Sequence, residues 1–306
     1  MTGSKLKALV MVALVIGASA CAAWLGRLTP GRREAPADEP APAGYRRVVC
    51  MSPAVVELAF AVGAGERVVG ICQHTMHPPE AFNRPSCGGF FNPNYELLLL
   101  LQPDLIVTQG QAEDLRRFAE HNGIELLSLN LVDLESISTQ ARRFGEVLDC
   151  QAGAERVCED IESRLGAVRA RVAGRPPVKV LLVTAREPAS LNGIQAIGPG
   201  GFLHDLIAVA GGVNVVSDLP QSYGTVSKEA LLARSPEVIV ELHGEGGDPE
   251  AILRETRALW GGLSALPAVR NGRVYAIEAT YAMIPGPRVV ELAERLAEFL
   301  HGEAAP

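Results

Sequence analysis

The stretch NYELLLLLQPDLIV, residues 94–107, joins a short helix to a buried strand. Asn94 is a favourable N-cap residue, so Glu96, two places later, falls in the first turn of the predicted helix. Five leucines follow Glu96 directly. Pro103 ends the helical pattern, and the apolar run at residues 105–107 has the composition of a buried strand. The stretch therefore predicts one helix-strand unit of an α/β layer, with an acid at the start of its apolar helix.

The same pattern occurs a second time, in SKEALLARSPEVIV at residues 227–240. Each glutamate, Glu96 or Glu229, stands seven residues before a proline and two after a capping residue, Asn94 or Ser227. The helix dipole alone favours an acid in a first turn by about 0.3–1 kcal/mol. Two acids at matching places in two lobes also suit docking on a partner with two basic sites.

Short apolar runs alternate with amphipathic stretches after residue 44, which is typical of parallel α/β layers. Residues 154–173 carry apolar side chains at helical spacing for about five turns and form the longest predicted helix. The pattern predicts an α/β fold of two Rossmann-like lobes with parallel sheets, residues 45–153 and 174–306, bridged by that helix. The predicted strands are RRVVCM, RVVGIC, PDLIVTQ, IELLSLN, VKVLLVTA, PEVIVEL and RVYAIE, and further helices are expected near residues 201–210, 228–234, 249–260 and 287–300.

The first 20 residues have the pattern of an export signal, with two lysines before an apolar run that is short for a membrane span. The run ends in ASAC, which resembles the lipobox of bacterial lipoproteins and makes Cys21 the predicted lipidation site. An ordinary signal-peptidase site after Ala20, or an anchor helix extending to Arg27, are the alternatives. Residues 21–44 are rich in Pro, Ala and charge and predict a flexible tether. All three readings place the folded part outside the cytoplasm, in the periplasm or on the cell surface.

The net charge of −7 and the lack of a basic run argue against nucleic-acid binding, which needs lysines and arginines to displace counterions. With Cys21 lipidated, five cysteines remain, which is an odd number for an exported protein. Cys72 with Cys87, or Cys150 with Cys158, are candidate disulfides whose pairing the sequence does not determine.

Taken together, several segments resemble the class III solute-binding proteins of ATP-binding-cassette (ABC) importers, which carry cobalamin, ferric siderophores or haem. The resemblance covers nearly everything from residue 46 to residue 302 and implies a ligand cleft between two lobes with little hinge closure. It also implies that the transported ligand is a metal chelate and that no cofactor is required. The segments, in chain order, are RVVCMSPAVVELAFAVGAGERVVGI, HPPEA, NPNYELLLLLQPDLIV, VSKEALLARSPEVIV, WGGLSALPAVRNGRVYAI and PGPRVVELAERLAEFL.

In this family, one glutamate per lobe pairs with arginines of the importer's permease dimer. The resemblance places these glutamates at Glu96 and Glu229. It thereby explains the acid in front of the leucines, which are expected to be core that holds the docking helix in place. The expected partners are a permease dimer, a small-molecule metal chelate and, through the N-terminal lipid or anchor, the membrane.

Ligands of open α/β sheets lie beyond the carboxyl ends of the strands, so loops after strands supply the cleft candidates. The loop ICQHTMHPPEAF brings thiol, imidazole and thioether groups within six residues, and His74, Met76 and His77 are the candidate metal ligands. No zinc spacing is matched. The predicted cleft residues are Ser52, His74, His77, Phe90, Phe91, Gln109, Arg186, Tyr223, His243 and Tyr281, the last together with Met283. Phe90 and Phe91 fit an aromatic ligand wall or plain core equally well.

The sequence also allows other functions. A haem-binding or direct transition-metal-binding protein of the same family would use His74 or His77. A metal-dependent hydrolase built on the same two histidines is a distant alternative, because the sequence has none of GxxxxGK[ST], GxSxG, HExxH or GxGxxG after a strand. A tethered scaffold that binds only protein would leave the cleft unused.

Overall fold

A computed structural model describes residues 44–302, without residues 245 and 279. The predicted signal peptide, Cys21 and nearly all of the predicted tether lie outside the described residues, as do residues 303–306. In the part that is described, no helix has the length and apolar character needed to cross a membrane. All of this part belongs to one compact unit, so its two lobes are parts of one body.

Strands and helices alternate through most of the described chain, as the sequence predicts. The strands are β1 (Val48–Cys50), β2 (Val68–Ile71), β3 (Leu105–Gln109), β4 (Glu125–Leu129), β5 (Val178–Ala185), β6 (Ile194–Ile197), β7 (Gly212–Asn214), β8 (Tyr223–Val226), β9 (Val238–His243) and β10 (Val274–Glu278). The helices are α1 (Pro53–Ala61), α2 (Tyr95–Leu101), α3 (Glu113–His121), α4 (Leu134–Val147), α5 (Gln151–Val172), α6 (Phe202–Val209), α7 (Lys228–Arg234), α8 (Pro249–Trp260), α9 (Pro267–Arg270) and α10 (Val289–His301).

The N-terminal lobe contains a parallel sheet with strand order β2-β1-β3-β4. Successive residues of the central strand β1 pack into different apolar clusters, because side chains alternate between the two faces of a sheet. Val48 and Cys50 belong to a large cluster that extends into the other lobe, whereas Val49 and Met51 belong to a local one under α2 and α3. The predicted parallel layer is confirmed in this lobe.

The C-terminal lobe contains a mixed sheet with strand order β10-β9-β5-β6-β8, and β7 pairs with β5. The prediction of an all-parallel sheet is wrong here, because β6 runs antiparallel to both β5 and β8. Residues 186–193, which connect β5 to β6, are too few for a parallel crossover, which needs about a dozen residues. The short strands β6, β7 and β8 were also not predicted from the sequence.

The predicted bridging helix is present as α5, which begins at Gln151, three residues before the predicted start, and ends at Val172. Its first turn lies against the end of α1, where a Cβ on Gly153 would be 1.9 Å from the Val62 carbonyl oxygen. Only glycine allows this close approach. The buried side chains of α5 join one apolar cluster that also contains β1 and β5, and they include Ala154, Cys158, Ile161, Leu165, Val168 and Val172.

A buried ion pair connects the lobes on one side of this core. Arg288, just before α10, donates from Nε and from a terminal guanidinium nitrogen to the two carboxylate oxygens of Glu57 in α1, at 3.0 and 2.6 Å. The Glu57 side chain is 3% exposed and that of Arg288 19%, so the pair lies largely out of water. Its two hydrogen bonds are parallel and charge-assisted, which is the strongest arrangement for these groups.

Backbone contacts connect the lobes at a second place. The Phe202 amide donates to the Val132 carbonyl oxygen at 2.8 Å, and the Leu134 amide donates to the Asp205 carboxylate at 3.3 Å. Gly201, with φ of +80°, turns the chain so that the first amide of α6 meets the loop after β4. The two lobes are therefore connected by direct polar contacts as well as by the helix α5.

The five cysteines of the described residues are free thiols, so neither candidate disulfide is present. Cys150 and Cys158 lie eight positions apart along α5, about 12 Å at 1.5 Å per residue, which is beyond disulfide reach. The Cys72 sulfur instead lies 3.2 Å from the Thr75 hydroxyl. Burial raises the pKa of the Cys87 thiol to about 11, which keeps it protonated and unreactive.

We expect Glu57→Gln to lower the free energy of unfolding by about 3–5 kcal/mol, because it removes the negative partner of a guanidinium in a largely dry site. Urea unfolding at pH 7 measures the change. The control is Glu155→Gln, which breaks the Arg142–Glu155 pair on the surface, where both side chains are about half exposed. That variant should lose far less stability. Equal losses in the two variants would contradict the importance of the ion pair between the lobes.

Candidate functional site

The repeated sequence pattern folds into two nearly identical helices. Both α2 and α7 are seven residues long, and each is capped by a side chain that accepts an amide hydrogen bond, Asn94 from Leu97 and Ser227 from Ala230. Both end at a non-glycine residue in the left-handed region, at φ of 45° and 51°. The predicted N-caps are confirmed, and the repeat extends to the helix ends.

An acidic residue after each short helix accepts backbone amide hydrogen bonds at the start of an inner strand of the sheet. The Asp104 carboxylate accepts the amides of Arg46 and Arg47, just before β1, at 2.8 and 2.9 Å. Glu237, its counterpart in the second copy, accepts the Lys179 amide in β5 at 2.8 Å. These bonds hold the turn that follows each helix, so α2 and α7 each have a side-chain hydrogen bond at the start and another just after the end.

The two predicted docking acids, Glu96 and Glu229, are both exposed in the first turn of their helices. Hydrogen bonds from its own backbone amide and from the Ser227 hydroxyl lower the pKa of Glu229. This carboxylate is therefore ionised at neutral pH. The arrangement presents one carboxylate per lobe on a short, capped helix.

The prediction that the leucines behind Glu96 are core is correct for Leu98 and wrong for two others. Leu98 is fully buried, but Leu99 is 49% exposed and Leu100 is 77% exposed. A seven-residue helix makes only two turns, so only one of its faces can pack on the sheet. Leu99 and Leu100 are the third and fourth residues after Glu96, and they lie on the same side of the helix as that acid.

A cavity of about 260 Å³ lies between the lobes, beyond the carboxyl ends of β3 and β4. Gln109 and Val132 line it from the N-terminal lobe, and Tyr223 and Met283 line it from the C-terminal lobe. Three of these side chains remain well exposed: Val132 at 48%, Tyr223 at 53% and Met283 at 40%. The structure thus brings Gln109, Tyr223 and Met283 together, as expected for cleft residues, and adds Val132, which the sequence analysis missed.

Phe90 and Phe91 lie just before helix α2. Phe91 is 94% exposed and meets the half-buried Phe90 ring edge-on, at 5.1 Å between ring centroids. Phe90 stands four residues before Asn94, as Tyr223 stands four before Ser227, so the two lobes carry aromatic side chains at equivalent positions. Phe90 packs on the local cluster under α2, as a core residue does, whereas Phe91 is open to solvent.

His77 lines a different cavity between the lobes, of about 400 Å³, together with Glu57, Glu80 and Arg288. Of the other candidate metal ligands, His74 is exposed at φ of 71° and Met76 is exposed. The described residues contain no cluster of three or more His, Cys, Asp or Glu side chains positioned for a metal ion. The structure therefore separates the histidine loop from the cavity that Gln109 and Tyr223 line.

Arg186 and His243, predicted to face the ligand, both bind the buried carboxylate of Glu241. Arg186 donates to it at 2.9 Å, Trp260 donates through its indole nitrogen at 2.7 Å, and the His243 ring nitrogen lies 3.1 Å away. Arg186, Glu241 and His243 line a third cavity, of about 260 Å³, within the C-terminal lobe. Arg186 is one of the predicted cleft residues, and in the structure its side chain is 10% exposed and paired with Glu241.

The remaining cleft candidates, Ser52 and Tyr281, have structural partners. Ser52 is buried, and its hydroxyl oxygen accepts the Val55 amide as the N-cap of α1. Tyr281 is partly buried against the shared core, with the Arg288 guanidinium 5.3 Å from its ring centroid. Tyr281 therefore lies beside the Glu57–Arg288 contact between the lobes.

Glu241 has a pKa below its ordinary value of 4.5, because hydrogen bonds from His243, Arg186 and Trp260 outweigh the opposing effect of burial. A lowered folded pKa means that the ionised group stabilises the fold above the unfolded pKa, and that this stabilisation is lost as pH falls through the folded pKa. We expect Glu241→Gln to unfold at lower urea than the wild type at pH 7. The difference should narrow below about pH 4.

The control for Glu241→Gln is Glu255→Gln, which changes an exposed acid of the same cavity. This control should unfold like the wild type at every pH. A difference between Glu241→Gln and wild type that stays constant from pH 7 to pH 3 would contradict the assignment of Glu241 as an ionised, paired group.

Comparison with known proteins connects this geometry to one family. The sequence model described as "Periplasmic binding protein" matches residues 48–281, which span both lobes and α5. The vitamin B12-binding protein of Salmonella typhimurium is 27% identical over 256 residues, covering 83% of this chain and 90% of that protein. The periplasmic haem-binding protein RhuT from Roseiflexus sp. RS-1 is 25% identical, with a TM-score of 0.68, covering 84% of this chain and 98% of RhuT. An Fe³⁺-hydroxamate transport protein from Saccharomonospora viridis is 24% identical, with a TM-score of 0.67, covering 84% and 94%.

Proposed function

Because this chain belongs to the periplasmic binding protein family, we propose that it captures a bulky metal chelate between its lobes and delivers it to an ABC importer. The observation that carries the proposal is the paired placement of Glu96 and Glu229. Each is exposed in the first turn of a seven-residue helix with the same kind of cap, one helix per lobe. Twin carboxylates held in this way suit a partner with two basic sites.

The lining of the cavity that Gln109 and Tyr223 share supports a ligand with apolar or aromatic surface. Its lining includes an aromatic ring, a thioether and an aliphatic side chain that remain well exposed, those of Tyr223, Met283 and Val132. Similar proteins are named for vitamin B12 binding, haem binding and Fe³⁺-hydroxamate transport, and all three ligands are metal chelates. A cobalamin or a ferric siderophore is the first candidate, because Gln109 adds an amide that can hydrogen-bond amide groups of such ligands.

A second candidate is haem or a transition metal bound through a protein side chain. His77 lines a cavity of about 400 Å³ between the lobes, beside Glu57 and Glu80, and imidazole is a common ligand of iron. Haem binding through His77 would shift the Soret band when the histidine is replaced. Cobalamin or siderophore binding at the Tyr223 cavity would leave the spectrum of the complex unchanged in the same variant.

Attachment to the membrane surface is part of the proposal. The export signal at residues 1–20 and the ASAC sequence support lipidation of Cys21, with residues 21–44 as the tether. A tether keeps the loaded protein near its importer and so raises the effective concentration for docking. Mass spectrometry of the mature N-terminus distinguishes the lipid from a plain signal-peptidase cut.

We expect one of three probes, cyanocobalamin, haem or a ferric hydroxamate, to raise the melting temperature of the purified protein. A ligand at a hundredfold its Kd adds about 2.7 kcal/mol of stability. Tyr223→Ala should weaken binding of that probe about tenfold by removing a ring from the cavity. Phe82→Ala is the control, because Phe82 is similarly exposed but lies on the turn Pro79–Asn83. Failure of all three probes would contradict chelate binding.

Docking is tested by reversing the charge of both acids. We expect Glu96→Lys with Glu229→Lys to leave probe binding unchanged and to reduce uptake of the bound probe by cells at least tenfold, because two attractive contacts become repulsive. The matched control is Glu120→Lys with Glu159→Lys, which makes the same charge change at exposed helical positions of α3 and α5. Normal uptake by the Glu96→Lys, Glu229→Lys variant, or an equal loss of uptake in this variant and its control, would contradict the docking assignment.

A further inference from the structure

Exposed leucines adjoin both docking acids. On α2, Leu99 and Leu100 stand three and four residues after Glu96, and on α7 Leu232 stands three residues after Glu229 and is 39% exposed. Residues at these spacings share one face of a helix. Leu99 and Leu232 occupy equivalent positions of the repeat, so the combination of an acid with an exposed leucine occurs once in each lobe.

The outward face of a surface helix is normally polar, and contiguous exposed apolar side chains mark a contact surface. The inter-lobe cavity that contains Gln109 and Tyr223 is not lined by these leucines, so that ligand site does not account for their exposure. A second copy of this chain is a poor occupant, since a symmetric contact of α2 with itself would bring two Glu96 carboxylates together. A partner with basic groups set in an apolar surface fits both the acids and the leucines.

We propose that these leucines form an apolar contact with the membrane subunits of the importer, beside each glutamate, and that α2 is the stronger of the two anchors. The proposal rests on the function proposed above. An apolar ring around an ion pair excludes water, and an ion pair is stronger where water is excluded. The leucines thus convert two weak surface ion pairs into a contact that persists at high salt.

The unequal strength of the anchors follows from the composition of the two helices. Helix α2 has the sequence YELLLLL, with one acid, no base and two well-exposed leucines. Helix α7 has the sequence KEALLAR, with two bases beside its single acid and alanine where α2 has Leu100. Lys228 and Arg234 repel a basic partner, although Arg234 is itself paired with Asp218 at 2.7 Å. The N-terminal lobe therefore contributes more to docking.

The occupant is identified by cross-linking. A photoreactive amino acid replaces residue 100 of the full-length protein in its own cells, and irradiated membranes are analysed by mass spectrometry. We expect cross-links to a membrane subunit of an ABC importer. Cross-links to a second copy of this chain would show a self-association surface instead, and cross-links to no membrane subunit would show that α2 does not face the importer. Either result overturns the proposal.

The contribution of the leucines is measured with that importer in lipid nanodiscs. Leu99→Ala with Leu100→Ala should weaken docking about tenfold at 0.1 M salt and by a larger factor at 1 M, because the ion pair beside them is then open to water and screened. Leu232→Ala should weaken it about threefold, and the exposed control Val213→Ala not at all. The leucine variants should fold, since Leu99, Leu100 and Leu232 are between 39% and 77% exposed and alanine favours helices.

The outcomes separate this proposal from the proposed function. Wild-type docking by the Leu99→Ala, Leu100→Ala variant, with loss of docking on reversal of Glu96 and Glu229, would overturn the leucine contact and leave the acids as docking groups. A loss larger for Leu232→Ala than for the double variant would overturn the ranking of the anchors. Unchanged docking in both the leucine and the charge variants would overturn both proposals together.

Discussion

One apolar core runs through both lobes along the bridging helix α5, and the arrangement of every other part depends on it. Ile161, Leu165 and Val168 of that helix pack in the same cluster as Val48 of the first sheet and Val180 of the second. Moving the lobes apart would expose these side chains to water, at about 25 cal/mol for each Å² of apolar surface. The core therefore sets the distance between the lobes, and with it the width of the cavity that they enclose.

Polar contacts join the two lobes in addition to the apolar core. The Glu57–Arg288 pair and the amide contact from Phe202 to Val132 join the lobes at separate places, and Arg164 of α5 is paired with Glu294 of α10 at 2.8 Å. These groups hold the cavity in one shape before a ligand arrives, so that little ordering is needed on binding.

The sequence supplied most of the fold because local patterns and long-range packing agree. The seven predicted strands, the bridging helix and the two short helices α2 and α7 with their caps are all present. The hairpin of β5 and β6 escaped prediction because β6 has only four residues and lies between the predicted strand VKVLLVTA and the predicted helix near residues 201–210. The sequence analysis missed two buried acids that the sequence could have indicated. Glu57 and Glu241 each stand alone in an apolar run, where an ionisable group needs a partner.

By itself the sequence determined the repeat, the position of Glu96 and Glu229 in their helices, and the loops that border the cleft, because caps, period and strand ends are local properties. Tertiary structure alone decided which of those loop residues meet. It placed Gln109 with Tyr223, took Arg186 and His243 into the Glu241 network, and moved His77 to a separate cavity. It also turned Leu99 and Leu100 outward, because a two-turn helix packs one face only, and no local pattern in a run of identical leucines says which face that is.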